Sequence, residues 1–185
     1  LKLDKITTAV EKVRKKCSPA TTVESRPMGA CSGARNATAL HTCIVQAGDT
    51  AVATMLNAQY ADAAPSAALG DPALTKCQQH IGKILNKYQF KRLTALSKCQ
   101  SRMDKGKVLT CPDDKATAQL AAFAVPITDL LAKKCTDAHI STLDTTISDG
   151  FGEGCKGQTT VAGFATCLLG AHDAATDTLF GVLEP

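Results

Sequence analysis

Apolar residues recur at intervals of three and four through much of this chain. Val161, Phe164, Leu168, Ala171, Ala175, Leu179 and Val182 form one such series, which draws an apolar stripe along one helix face. Cys77, Ile81, Ile84, Leu85, Tyr88, Leu96 and Cys99 form another. No segment alternates polar and apolar residues for long enough to argue a strand. Gly106 ends the central series, as glycine does at helix C-termini. TCPDD then opens the next helix, with Pro112 in its first turn and Asp113 and Asp114 where the helix dipole favours anions. Pro126 interrupts or kinks that helix. The pattern predicts an all-α fold of about five helices in antiparallel hairpins, near residues 3–16, 36–61, 74–105, 113–136 and 158–183. ADAAPSAALGDP makes the long linker.

The cysteines add a second regularity. Nine of them form the triplets Cys17/Cys31/Cys43, Cys77/Cys99/Cys111 and Cys135/Cys155/Cys167, the last two of each being twelve residues apart. With Cys31 on Cys155, residues 31–56 lie over 155–180 without a gap, matching Thr42/Thr166, Ala47/Ala171, Asp49/Asp173, Ala51/Ala175 and Thr54/Thr178. This reads as an internal duplication. The expected organisation is a first helix–loop–helix copy over 1–62, a linker and central basic helix over 63–112, and a second copy over 113–185.

Helix lengths constrain the pairing. Cys77 to Cys99 is 22 residues and Cys111 to Cys135 is 24, roughly 33 and 36 Å of helix. Matched helices joined by a short turn place Cys99 beside Cys111 and Cys77 beside Cys135. Cys31–Cys43 and Cys155–Cys167 then each fasten a loop to the following helix. Cys17 is left over, because the helix that would supply its partner precedes Leu1; it is expected to be unpaired or intermolecular. Cys17–Cys77 with Cys135 left over is the competing connectivity.

Composition narrows the setting. No two cysteines stand at C-x-x-C spacing, which removes zinc ribbons, thioredoxin-like pairs and covalent haem attachment. Disulfides remain, and they persist in oxidising compartments. No apolar run is long enough to span a membrane, and the chain opens at Leu1 without an apolar signal core, as a processed export product would. The expected location is extracellular, at the cell surface or periplasmic. Aromatic residues make up only 4 % and tryptophan is absent, so small side chains must build the core and cross-links carry more of the stability.

The net charge of +4 conceals an asymmetry. Lys76 to Lys107 holds nine basic residues against Asp104 alone, whereas Asp137 to Pro185 holds seven acids against Lys156. Lys83, Lys87, Lys91, Arg92, Lys98 and Arg102 form the candidate basic contact face. Its readings are a solvated lysine face, contact with an acidic lipid or polysaccharide, or docking of the acidic end of another copy. Nucleic acid is not expected, since only Tyr88 and Phe90 interleave with the charges.

His172–Asp173, with DGFGEGC upstream and CLLGAHD around it, resembles superficially the His-Asp pair of secreted phospholipases A2. The cysteine spacing departs from that enzyme family, and the first copy has Gly48 where His172 stands. The expectation is a surface histidine, as for His41, His80 and His139, with the hydrolase a remote alternative. No catalytic residue, cofactor or metal site is expected.

KCQQHIGKILNKYQFKRLTALSKCQSRMDKGK, CPDDKA and ISDGFGEGC resemble a family of uncharacterised cysteine-rich helical repeats in exported bacterial proteins. The resemblance covers most of residues 74 to 185 and implies export, helices and disulfides, with no assigned activity. Together these readings point to an exported structural or interaction protein, a subunit of a cell-surface or extracellular assembly whose partners are copies of itself or another surface protein. The alternative is an extracellular carrier of a small molecule or lipid.

Overall fold

The computed structural model of the chain describes residues 31–34, 37–60, 70–146 and 154–183. Among these residues every regular element is a helix: α1 (Ala37–Tyr60), α2 (Pro72–Met103), α3 (Asp114–Ala124), α4 (Ile127–Ala132), α5 (Asp137–Thr146) and α6 (Val161–Leu183). The first expected helix and Cys17 lie outside the described residues.

Local chemistry explains most boundaries. Asp71 accepts a hydrogen bond from the Ala73 amide at 2.7 Å and Pro72 follows it, a cap and a first-turn proline together. α2 stops where Gly106 adopts φ +66°. In that left-handed turn the Gly106 and Lys107 amides return to the carbonyls of Met103 and Arg102. Asp113 is the residue that caps α3, through the Ala116 amide at 2.9 Å. Pro112 therefore precedes the helix instead of lying in its first turn. The helix expected over 113–136 is divided at Val125–Pro126 into α3 and α4, since proline cannot donate to the preceding turn.

α5 was not anticipated. It lies between Cys135 and Cys155, and its start is fixed by reciprocal bonds. The His139 amide reaches Thr136 Oγ1 at 3.2 Å, and the Thr136 amide reaches His139 Nδ1 at 3.3 Å. This is a capping box with histidine in the place of glutamate. Its short pattern was missed because only Ile140 and Leu143, both fully buried, mark the inward face.

Among the described residues four cystines are present: Cys31–Cys43, Cys77–Cys135, Cys99–Cys111 and Cys155–Cys167. Cys77–Cys135 and Cys99–Cys111 are the pairs that helix lengths favour, and the other two are the twelve-residue pairs expected to fasten a loop to the following helix. Between α2 and the segment that follows it, Arg102 meets Asp113, Lys91 meets Phe123 and His80 meets the Leu130 carbonyl. Residue numbers in these contacts fall along one segment as they rise along the other.

The contacts divide the chain into two compact units, one of residues up to Val52 with those from Asp177 onward, the other Ala53–Thr176. The division cuts through α1 and α6. In the larger unit Ile81, Leu85, Leu131, Ile140, Leu143, Phe164 and Leu168 are fully buried around the Cys77–Cys135 bridge. In the smaller unit Cys31 is buried and bound to Cys43 in α1, whereas Val45 and Val52 are exposed.

Candidate functional site

Two features of the larger unit concentrate chemistry, a buried polar layer and a row of lysines. The layer is built where α6 lies beside α2 and the end of α1. Phe164, Leu168, His172 and Thr176 follow one another at intervals of four on α6, so all four point the same way. His172 is therefore 1 % exposed and Thr176 is fully buried. Gln59 and Gln89 are buried with them.

The hydrogen bonds run in one direction. The Gln59 amide donates to His172 Nε2 at 2.6 Å, and His172 Nδ1 donates to Gln89 Oε1 at 3.2 Å. Gln89 Nε2 donates to Thr176 Oγ1 at 2.5 Å, and that hydroxyl donates to the His172 carbonyl at 2.6 Å. After Gln59, which only donates, each side chain accepts once and donates once, so the ring is neutral with its proton on Nδ1. Burial drives the His172 pKa down to about 4, because a charged imidazolium here would lose its hydration. His172 is thus a buried structural residue, correcting the expected surface histidine.

Asp173, the next residue, turns to other partners. Tyr88 donates its hydroxyl to Asp173 Oδ1 at 2.5 Å, and Arg92 Nη1 lies 3.1 Å from the same oxygen. Burial first, and the bond to Asp173 second, raise the Tyr88 pKa. The histidine and the aspartate do not address each other, and both ring nitrogens of His172 are engaged. A hydrolytic His-Asp pair needs an imidazole nitrogen available to water, and this arrangement does not offer one. Among the described residues no group of three His, Cys, Asp or Glu side chains gathers as a metal site would.

The candidate basic face is divided by the fold. Lys83, Lys87, Lys91 and Lys98 are exposed. Arg92 is 6 % exposed and bound to Asp173, so it belongs to the interior. Arg102 is half-buried and grips both oxygens of Asp113 at 2.7 Å, which also holds that carboxyl below its usual range after the larger effect of the Ala116 amide. Both arginines therefore leave the proposed face. Arg92 stands four residues from Tyr88 and from Leu96 on the apolar stripe, a position that sequence reasoning passed over in favour of its charge.

His80 donates its Nε2–H to the Leu130 carbonyl at 2.8 Å and so joins α2 to α4. The His41 side chain lies outside what the structure describes. An open cleft of about 640 Å³ lies beside the Cys155–Cys167 bridge, lined by Gly154, Gln158, Gly163, Thr166, Cys167, Gly170 and Ala171. No described helix is long and apolar enough to cross a membrane. No family model, curated protein or solved structure matches this chain.

Proposed function

We propose that this is an exported structural or interaction protein, a subunit of a cell-surface or extracellular assembly, acting through contact and not through catalysis. One observation carries the reading. The groups that would serve chemistry are consumed inside the fold: His172 by two glutamines, Asp173 by Tyr88 and Arg92, Asp113 by Arg102. What the larger unit presents outward is charge and apolar surface, in the exposed lysines of α2 and in Phe90, which is 72 % exposed.

Four cystines suit an oxidising compartment such as the cell exterior or the periplasm. The cleft beside Cys167 is open and lined by small residues, unlike the enclosed apolar cavity that a lipid carrier uses, so the assembly reading is preferred. Its partners are further copies of the chain or another surface protein. The test is the mass of the native particle without reductant, together with alkylation of Cys17 after denaturation. A multimer held through Cys17 is the expected result. A monomer whose Cys17 alkylates without reduction removes the assembly reading.

A further inference from the structure

α2 is 32 residues long and contains no acidic residue. Lys76, Lys83, Lys87, Lys91 and Lys98 are all exposed on it. At 3.6 residues per turn the five fall within about 80° of arc and span roughly 33 Å along the axis. Phe90 lies about 20° outside that arc, next to Lys83, and is 72 % exposed. The ammonium of Lys91 stands 5.1 Å from the Phe123 ring. Two residues beyond that ring, Val125 is 79 % exposed in the turn between α3 and α4.

We infer that this row docks on a lipid bilayer bearing anionic headgroups, with α2 lying along the surface and Phe90 entering the interface. Three observations select that partner among polyanions. First, both arginines of the helix are turned away to Asp173 and Asp113. The groups left outward are ammoniums, which act as point charges and suit a diffuse surface, whereas guanidinium forks suit bidentate recognition of individual phosphates or sulfates. Second, the five lysines fall on one side of a single helix, so a planar surface reaches all five charges together. Third, an exposed phenylalanine amid the lysines has a place at an interface, where its ring leaves water while the lysine stems reach outward.

Each lysine near an anionic bilayer strengthens binding about fivefold. Salt weakens the attraction as the screening length shrinks to about 8 Å at physiological ionic strength. The inference extends the exported-subunit reading by naming a surface on which the protein docks. The two fail separately. A monomer that binds anionic vesicles keeps the docking and ends the assembly, and a multimer that ignores them does the reverse.

The experiment is flotation of the non-reduced chain with vesicles of phosphatidylcholine alone or mixed with phosphatidylglycerol, over a salt series. Dextran sulfate serves as the competing polyanion. Binding is expected to the mixed vesicles only and to fall with salt. The triple variant Lys83→Gln, Lys87→Gln, Lys98→Gln should lower it about a hundredfold, with its helical circular dichroism and thermal midpoint unchanged. Phe90→Ser should lower vesicle binding severalfold and leave dextran sulfate binding alone. Absence of vesicle binding overturns the inference. So does vesicle binding that the triple variant retains, or a Phe90→Ser variant that loses nothing on vesicles while dextran sulfate binds more tightly.

Discussion

Two segments of this molecule share a sequence pattern but not an environment. Residues 31–56 and 155–180 align without a gap, their helices begin at the corresponding positions Ala37 and Val161, and each is fastened by a cystine with a separation of 12. In α6, Phe164, Leu168, His172 and Thr176 are buried. Their counterparts in α1 are Leu40, Ile44, Gly48 and Val52. Leu40 and Ile44 are only half-buried, and Val52 is 50 % exposed. Asp173 binds Tyr88 and Arg92, while its counterpart Asp49 is exposed. The shared sequence pattern thus sets where a helix starts and how it is fastened. What it packs against then decides which polar residues its inner face can hold.

The comparison is broken most directly at the equivalent pair Phe164 and Leu40. Phe164→Ala should cost about 3–5 kcal/mol, because the ring is fully enclosed. Leu40→Ala, from a half-buried site, should cost less than half as much. Urea unfolding of both variants measures the gap, and equal losses would show that α1 is as deeply packed as α6.

The bridges should instead behave alike. Replacing Cys31 and Cys43 by serine, or Cys155 and Cys167, removes a loop of the same length. Each change should cost about 3 kcal/mol on the chain-entropy account. Thermal midpoints that differ widely between the two would assign the effect to native packing.

A third prediction separates the two copies by pH. The imidazole of His172 takes up a proton near 6.5 when unfolded and only near about 4 when folded. Between these values the unfolded chain binds more protons. The stability that His172 contributes is therefore complete above 6.5 and is lost as pH falls, by about 1.4 kcal/mol per unit and about 3 kcal/mol in all. Gly48 supplies no such dependence. Unfolding free energies across this window should fall more steeply for the native chain than for His172→Gln, and parallel slopes would refute the assignment.

The smallest effects concern two glycines. A Cβ added at Gly48 meets nothing within 4 Å, so Gly48→Ala should stabilise α1 by about 0.5–1 kcal/mol. At Gly82 the new carbon would collide with the hydroxyl of Tyr60. Gly82→Ala should therefore destabilise despite the better helix propensity. Circular dichroism melts decide both signs.

The sequence by itself determined the helical class and most helix ends, and it favoured the cystine pairs over a competing connectivity, because these readings rest largely on local causes. Apolar periodicity, Asp71 and Asp113 as caps, Gly106 as a stop and a fixed cysteine interval all act within a few turns of chain. Even the burial of His172 left a trace, since it continues the four-residue steps of Phe164 and Leu168. The tertiary structure alone decided the polar interior. Gln59 and His172 are 113 residues apart, and Tyr88 and Asp173 are 85 apart. A polar side chain can be buried only when such a distant partner satisfies it, and periodicity carries no information about partners. For the same reason Arg92 and Arg102 read as surface charge until Asp173 and Asp113 were brought beside them.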